Sequence, residues 1–224
     1  MKKLDIIVGC ERFGIVRDAL IKRGHNALSC DLEKTEKKGP HFEGDLEICL
    51  MCHKFDAGIF FPPCTFLSSS GLHWNKRRPG RAEETEKGLQ FVALLLNLPF
   101  NKLALENPIG CISTRIAIVN GRYVVMPLGS KDLFPRLTPQ IIQPHQFGED
   151  ASKATCLYLK GLKELQPTKM IKPRIVKEGP YKGKKRWSNQ TDSGQNILGP
   201  SEERAALRGK TYEGIAKAMA EQWF

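Results

Sequence analysis

The first half of the chain alternates between strand patterns and helix patterns. Residues 4–9 form an apolar run typical of a buried strand, residues 13–24 carry apolar side chains at helical spacing, and residues 26–31 form a second strand that ends in an acid. The same alternation continues later, with strands at 56–61 and 102–107 and an amphipathic helix at 81–97. This order predicts an open α/β sheet with helices on both faces and with ligands at the carboxyl ends of its strands.

The second half of the chain has a different pattern. Asn120 and Gly121 separate two short strand patterns and predict a hairpin, and the chain closes on a helical pattern. We therefore predict three parts, which are an α/β core over residues 1–111, a small mixed insertion with a basic segment over 112–190, and a C-terminal segment with a returning helix over 191–224.

Composition and charge narrow the range of functions. The 224 residues are 41% hydrophobic, which predicts one globular unit rather than a disordered chain. Thirty-five Lys and Arg against 24 Asp and Glu give a formal net charge of +11, which favours a polyanionic partner such as nucleic acid. Residues 169–187 hold eight basic residues against one acid, with aromatic residues between them. This segment is either a nucleic-acid contact, through residues such as Lys182, Lys184, Lys185 and Arg186, or a solvated loop.

A second basic and aromatic stretch lies after the 56–61 strand. Trp74 precedes Arg77 and Arg78 in the sequence HWNKRRPGR, and this combination of an aromatic ring with charge suits a segment that closes over a nucleic-acid strand. The alternative interpretation is a disordered lid.

Cysteine usage and hydropathy indicate the compartment. The seven cysteines are scattered and odd in number, unlike the dense framework of a secreted protein. The sequence CLMCH resembles a haem-attachment motif, but no export signal and no second ligand pair for zinc accompany it, so we expect neither haem nor metal. No stretch reaches the roughly 18 uninterrupted apolar residues of a membrane span. We expect a soluble protein of the reducing cytoplasm, with no membrane partner.

The turn after the first strand is a candidate cofactor site. It reads GCERFG, and Gly9, Cys10 and Gly14 would let the backbone approach a ligand closely. Asp31 ends the second strand at a spacing that suits a carboxylate binding ribose hydroxyls. Because the glycines do not follow GxGxxG, an adenosyl ligand without phosphates is favoured, with Asp45 reaching toward its adenine ring. The alternative is a strand-to-helix turn that binds no ligand.

Cys64 is the candidate nucleophile. It stands behind two prolines in FPPCTFLSSSG, directly after a predicted strand, so a rigid turn would hold it out of the core. Glu106 and Asn107 stand at the carboxyl end of the next predicted strand, in the sequence ENP. Both strands would end at one rim of the sheet, so a thiol and a carboxylate would lie side by side there. A cysteine that only fills space is the alternative.

These motifs resemble the DNA cytosine carbon-5 methyltransferase family, whose Pro-Cys loop carries the nucleophile and whose Glu-Asn-Val motif supplies an acid. In the same order, the first strand with Gly14 and Asp31 resembles the family's cofactor end, GPSEERAALRG resembles its late motif, and YEGIAKAMAEQW resembles its closing helix. The resemblance covers nearly the whole chain and is closest to small phage-encoded methyltransferase-like proteins. The chain departs from the family in its reduced glycine motif, in Pro108 in place of Val, and in its short recognition region.

The resemblance implies a Rossmann-like methyltransferase sheet and S-adenosylmethionine-dependent transfer of a methyl group to carbon 5 of cytosine in DNA. Cys64 would add to ring carbon 6, Glu106 would act at the ring nitrogen and Asn107 would fix the loop. Arg115 would contact the base or a phosphate, with a surface salt bridge as the alternative, and Pro62 would lie on the cofactor side. The target cytosine would be flipped out of a duplex or presented on a single strand. The protein itself would be phage or bacterial and would act in the cytoplasm of the host cell.

Two other functions stay open at this point. The same fold could act on a free cytidine nucleotide or on RNA, because the chain has little room for a duplex-reading domain. A methyltransferase-like DNA-binding protein without catalysis is the second alternative, because the glycine motif is reduced.

Overall fold

Seven strands form a mixed sheet at the centre of the molecule. The computed structural model describes residues 2–130, 134–199, 201 and 204–224. The strands are β1 Asp5–Gly9, β2 Asn26–Asp31, β3 His41–Glu43, β4 Ala57–Phe60, β5 Lys102–Pro108, β6 Ile116–Val119, β7 Arg122–Val125, β8 Gln140–Ile142, β9 Thr155–Lys160, β10 Arg174–Ile175 and β11 Lys185–Arg186. The helices are α1 Ile15–Lys22, α2 Leu46–Cys52, α3 Ser69–Leu72, α4 Arg81–Leu96, α5 Ile112–Arg115, α6 Arg204–Gly209 and α7 Glu213–Trp223, with short 3-10 helices at His73–Lys76 and Pro144–Gln146.

The strand order of the central sheet is β3-β2-β1-β4-β5-β9-β8. The strands from β1 to β5 pair in parallel, whereas β9 is antiparallel to β5 and β8 is antiparallel to β9. The first five strands follow the order of doubly wound sheets, in which ligands bind outside the carboxyl ends of the strands. The predicted α/β sheet is confirmed, and the carboxyl ends of its parallel strands meet at one edge.

Helices cover both faces of this sheet, because successive side chains of a strand point to opposite faces. Ile6 and Val8 of β1 pack in one core together with residues of α1 and α7, whereas Ile7 packs in a second core with residues of α2 and α4. Each fully buried Ile or Leu side chain stabilises the fold by roughly 1.5–3 kcal/mol. The predicted arrangement of helices on both faces is confirmed.

The long helix α4 has favourable groups at both ends. It begins after Gly80, whose φ of 74° is in the left-handed region, and carries acids in its first turn. At its other end the ammonium group of Lys160 donates to the carbonyls of Leu96 and Leu98, at 3.3 and 2.6 Å.

None of the described helices is long and apolar enough to cross a membrane.

The region from residue 112 to 190 contains two kinds of structure. Asn120 and Gly121 have φ values of 50° and 75° and form the turn between β6 and β7, so the predicted hairpin is confirmed. β8 and β9 belong instead to the central sheet, where β9 pairs with β5. This region therefore contributes two strands to the core, and the division of the chain into three parts stays a prediction.

Candidate active site

The carboxyl ends of β1, β2, β4 and β5 bring most of the predicted site residues to one edge of the sheet. Gly9 at the end of β1 is paired with Cys30 of β2 and with Phe60 of β4, and β4 is paired in turn with β5. Four features therefore lie at the same edge: the turn after β1, the carboxylate of Asp31, Glu106, and the loop of residues 61–68 that carries Cys64, called the Pro-Cys loop below. This is the arrangement that the strand-end positions predicted.

The turn after β1 has an unusual backbone. Cys10 and Gly14 have φ values of 59° and 66°, in the left-handed region that favours glycine. A side chain on Gly9 would come within 2.6 Å of the Phe60 ring, so this packing requires a glycine. Backbone geometry and packing account for both glycines, and their contact with a cofactor stays a prediction.

The Glu11 carboxylate caps the N-terminus of α1. This buried side chain accepts hydrogen bonds from the backbone N–H groups of Val16, at 2.6 Å, and Arg17, at 3.3 Å. Burial raises the pKa of Glu11 to about 7, although these hydrogen bonds oppose the rise. Dinucleotide-binding folds place a pyrophosphate at this position. A ligand at this edge would therefore have to be free of phosphate here, and the sequence alone gave Glu11 no role.

Arg17 fixes the loop that follows Asp31. Its guanidinium group is fully buried and donates to the Ser29 hydroxyl at 3.1 Å, the Thr35 hydroxyl at 3.3 Å and the Lys37 carbonyl at 3.1 Å. These contacts attach residues 32–40 to α1. The loop after β2 is therefore held in place next to the Asp31 carboxylate.

Asp31 and Asp45 lie close to Cys10. Burial first, and then the charges of Asp31 and Asp45, raise the pKa of the Cys10 thiol to about 12, so this thiol stays protonated. Asp45 is also the N-cap of α2 and accepts a hydrogen bond from the Glu47 N–H at 2.7 Å. Partial burial raises the pKa of Asp31, against the lowering effect of nearby cationic side chains. The structure thus brings three of the predicted cofactor residues together.

The Pro-Cys loop is hydrogen-bonded to the end of β5 and to the loop that follows β5. The buried Asn107 side chain donates to the carbonyl of Pro62 at 2.9 Å, and the Cys111 N–H donates to the carbonyl of Leu67 at 2.9 Å. A side chain on Gly110 would come within 2.0 Å of that same Leu67 carbonyl. Asn107 therefore fixes the loop that presents the candidate nucleophile, and Pro62 takes part through its backbone.

Helix α4 holds the Pro-Cys loop from the other side. Arg81 donates to the carbonyl of Thr65 at 2.6 Å, and its guanidinium carbon lies 4.2 Å from the centroid of the Phe66 ring. The Thr85 hydroxyl donates to the carbonyl of Phe66 at 2.9 Å. Sequence reasoning missed both anchors, because their partners are backbone carbonyls distant in sequence.

The charge of Glu106 acts on the Cys64 thiol. Both side chains are half-buried. Burial, followed by the charge of Glu106, raises the pKa of the Cys64 thiol, whereas Lys153 and the exposed Arg208 lower it. Burial also raises the pKa of Glu106, against Lys153 and a hydrogen bond from the Thr155 side chain. The predicted thiol and carboxyl lie together, and a cation that the sequence did not indicate lies with them.

Arg208 belongs to the late motif GPSEERAALRG, which the structure describes only in part. Residues 200, 202 and 203 of this motif lie outside the described residues. Arg208 stands in the last turn of α6. Its effect on the Cys64 thiol gives that part of the motif a place near the site.

Arg115 makes contacts that differ from those predicted for catalysis. Its guanidinium group forms an ion pair with Glu86 of α4, and its Nε donates to the carbonyl of Met126 at 2.7 Å. Arg115 is buried, whereas the Glu86 side chain is 44% exposed, so this ion pair lies between the core and the surface. The salt-bridge alternative describes these contacts, and a contact of Arg115 with a base or a phosphate stays a prediction.

The segment HWNKRRPGR is ordered. It contains the 3-10 helix His73–Lys76, and the guanidinium carbons of Arg77 and Arg78 lie 5.9 and 4.3 Å from the centroid of the Trp74 ring. A disordered lid is therefore wrong for this segment. Binding of nucleic acid by the two exposed arginines stays a prediction.

The basic segment forms a hairpin of β10 and β11 that is docked on the core. Trp187 stacks on His145 with ring centroids 4.3 Å apart and an interplanar angle of 15°. Asn189 and Ser152 exchange two hydrogen bonds of 2.9 Å between side chain and backbone. These contacts hold the hairpin next to Ser152, which lies shortly before β9. Three of the predicted nucleic-acid residues are exposed on it, namely Lys182, Lys184 and Lys185, whereas Arg186 donates to the backbone carbonyls of Lys185 and Asp192.

A cavity lies apart from this edge of the sheet. A cavity of about 700 Å³ opens at the amino ends of the parallel strands, where Asp5, His25 and Asn26 line it, and none of the residues assigned to chemistry above takes part. Within the described part of the chain, no group of three or more acidic, His or Cys side chains is arranged to hold a metal ion.

The chain resembles solved methyltransferase structures at low identity. No protein-family model and no curated protein matches it. A prophage-encoded protein of E. coli described as a DNA modification methyltransferase is 13% identical, with a TM-score of 0.44 over 75% of this chain and 52% of the other. The Entamoeba histolytica methyltransferase EhMeth is 13% identical, with a TM-score of 0.41 over 77% and 59%. The S. pombe Dnmt2 methyltransferase is 13% identical, with a TM-score of 0.38 over 72% and 50%. The chain thus spans between half and three fifths of the length of these proteins, and the function proposed below is based on its own residues.

Proposed function

We propose that this protein is an S-adenosylmethionine-dependent methyltransferase that acts on carbon 5 of cytosine in DNA through a covalent adduct with Cys64. One observation carries the proposal: at the carboxyl edge of an α/β sheet, the half-buried thiol of Cys64 lies on a loop that is hydrogen-bonded to β5, the strand that carries the half-buried carboxyl of Glu106. Cytosine is a poor carbon nucleophile, and this pair has the chemistry that it needs.

The two side chains have complementary tasks in this reaction. The Cys64 thiolate adds to ring carbon 6, while Glu106 donates a proton or a hydrogen bond to the ring nitrogen and stabilises the displaced electron pair. S-adenosylmethionine supplies an electrophilic methyl group when bound. Carbon 5 then forms a bond to that methyl group as the methyl–sulfur bond breaks and a neutral thioether leaves. A base removes the proton from carbon 5, the thiolate of Cys64 leaves as the ring double bond reforms, and a proton given to the ring nitrogen returns to Glu106.

The cofactor end fits an adenosyl ligand. Glu11 fills the helix N-terminus where a phosphate would otherwise bind, so the acceptors left at this edge are carboxylates. Asp31 and Asp45 lie close together around Cys10 and are suited to accept hydrogen bonds from ribose hydroxyls and an adenine amino group. We assign Gly9, Cys10 and Pro62 to the walls of the same pocket.

A DNA substrate accounts for the charge of the chain. The net charge is +11, and the docked hairpin concentrates lysines close to the residues that precede β9. Because carbon 5 and carbon 6 of a paired cytosine are out of reach of Cys64, the base would be flipped out or presented on a single strand.

The proposal is tested by identifying the product. The protein is incubated with methyl-labelled S-adenosylmethionine and, in separate reactions, with DNA, with RNA or with a free cytidine nucleotide, and the modified base is identified by mass spectrometry. We expect 5-methylcytosine. Label only in RNA or in a free cytidine nucleotide would reassign the substrate, and methyl on adenine would overturn the role of Cys64.

The Asp31→Ala variant tests the cofactor end. We expect S-adenosylmethionine to bind about tenfold or more weakly, because a hydrogen bond to a charged acceptor contributes roughly 1.5–3 kcal/mol. Titration calorimetry measures this affinity, and DNA affinity should stay nearly intact. Glu221→Ala, which removes an exposed acid from α7, is the control and should bind the cofactor normally. Unchanged affinity in Asp31→Ala would count against the assigned pocket.

Neutralising the basic hairpin tests the DNA surface. Replacing Lys177, Lys182, Lys184 and Lys185 with Gln should flatten the dependence of DNA affinity on salt, by a slope of roughly 0.9 for each phosphate that the variant no longer neutralises. The control variant carries Gln at four other lysines, namely Lys2, Lys22, Lys87 and Lys217. Equal slopes for the two variants and the wild type would show that the hairpin is only solvated.

A further inference from the structure

Lys153 lies at the open end of the strand pair that carries Glu106. In the antiparallel pairing of β5 with β9, Glu106 is opposite Leu157 and Pro108 is opposite Thr155. Two residues paired across neighbouring strands have their side chains on the same face of the sheet, and so does every second residue along one strand. The Thr155 side chain therefore lies on the same face of the sheet as Glu106. Lys153 comes two residues before Thr155, at the amino end of β9 and so at the same edge as the carboxyl end of β5, and its charge acts on both Glu106 and the Cys64 thiol.

The backbone around Lys153 is held in place, whereas its ammonium group has no partner in the described residues. The Lys153 N–H donates to the side chain of Gln143 at 2.9 Å, and the preceding Ser152 is bonded to Asn189 in both directions. Lys153 is half-buried, and its Nζ makes neither a hydrogen bond nor an ion pair within the part of the chain that the structure describes. A fixed backbone thus presents an unpaired cation to the site.

Three charged groups act on Cys64, and they come from three different elements. Glu106 on β5 opposes ionisation of the thiol, while Lys153 before β9 and Arg208 on α6 favour it. Arg208 is exposed, so water screens its charge more strongly than that of the half-buried Lys153. Lys153 is therefore the better placed of the two cations.

We propose that Lys153 is a positioning residue whose ammonium group stabilises the thiolate of Cys64 beside the Glu106 carboxyl. A nucleophilic thiolate and a carboxylate in one half-buried site repel each other, and a cation close to both groups offsets that repulsion. The inference rests on the proposed function only in taking Cys64 as the nucleophile. It adds that Lys153 sets the pH range in which the nucleophile forms.

The test follows the reaction of Cys64 with iodoacetamide as a function of pH, resolved for each cysteine peptide by mass spectrometry. Neither DNA nor cofactor is present. In Lys153→Met we expect alkylation of Cys64 at pH 7 to be about tenfold slower, with the profile displaced to higher pH, because only the thiolate reacts. Lys153→Arg should restore the wild-type profile, and Lys217→Met, which removes an exposed lysine of α7, should not change it.

Two results would overturn the inference. The first is a profile of Lys153→Met that superimposes on the wild type; the second is a displaced profile that Lys153→Arg fails to restore, since this would indicate packing rather than charge. If Lys153→Met does not fold, as judged by its thermal melt, Lys153→Gln replaces it, because the site is half open to water. Methyl transfer is assayed separately, so an inactive protein with the expected profiles would contradict the proposed function and not this inference.

Discussion

Replacing Cys64 with Ser is expected to abolish covalent trapping of DNA that carries 5-fluorocytosine. In the wild type, methylation of the fluorinated base leaves no proton on carbon 5 for a base to remove, so the bond from Cys64 to carbon 6 persists. A serine hydroxyl does not ionise at neutral pH and cannot replace the thiolate. Denaturing electrophoresis of labelled DNA with S-adenosylmethionine measures the trapped fraction, which should fall by more than about a thousandfold.

Other cysteines of the chain provide matched controls. Cys52 is exposed, and Cys52→Ser should trap DNA like the wild type. Cys156 is buried in the core beside β5, so Cys156→Ser should instead lower the free energy of unfolding, by about 1 kcal/mol or more, while the folded protein still traps DNA. Trapping by Cys64→Ser at the wild-type rate would exclude the covalent mechanism.

The strands and helices with a clear period could be predicted from the sequence. The run before Gly9 forms β1, the pattern that ends at Asp31 forms β2, and the long amphipathic pattern after Gly80 forms α4. The position of the candidate site could be predicted for the same reason. The carboxyl ends of parallel strands converge at one edge, so Cys64 after β4 and Glu106 near the end of β5 could be placed at that edge from their positions in the sequence, while their chemical roles stay predictions.

The residues that support the site could not be predicted, because their roles depend on contacts between distant segments. Arg81 and Thr85 bond carbonyls of the Pro-Cys loop, and no sequence pattern marks a side chain that binds a backbone group. Lys153 reaches the site only because β9 is antiparallel to β5, which brings its amino end to the edge where the parallel strands finish. Glu11 has the sequence context of an ordinary turn acid, and its role follows only from the position where α1 begins.

The glycines at this edge are ambiguous for a related reason. Gly9 and Gly110 are both required by close packing, against the Phe60 ring and the Leu67 carbonyl. Such contacts also occur where no ligand binds, so the glycines alone do not distinguish a cofactor pocket from a tight turn. Glu11 is more informative, because a buried carboxylate at a helix N-terminus excludes a phosphate from that position.

Glu106→Gln is expected to slow methyl transfer by roughly 10²–10⁴-fold while leaving DNA and cofactor affinity close to those of the wild type. The amide keeps the shape of the side chain but cannot deliver a proton to the ring nitrogen, so the loss falls on charge that develops only in the transition state. Single-turnover kinetics measures the chemical step, and Glu221→Gln on the surface of α7 is the control.

The same substitution should change the Cys64 thiol in the opposite direction. Because the Glu106 charge raises the pKa of Cys64, its removal should make alkylation of Cys64 faster near neutral pH even as methylation becomes slower. A merely damaged site would lose both reactivities together. Slower alkylation in Glu106→Gln, or methylation at the wild-type rate, would therefore contradict the assignment of Glu106 as the acid beside the nucleophile.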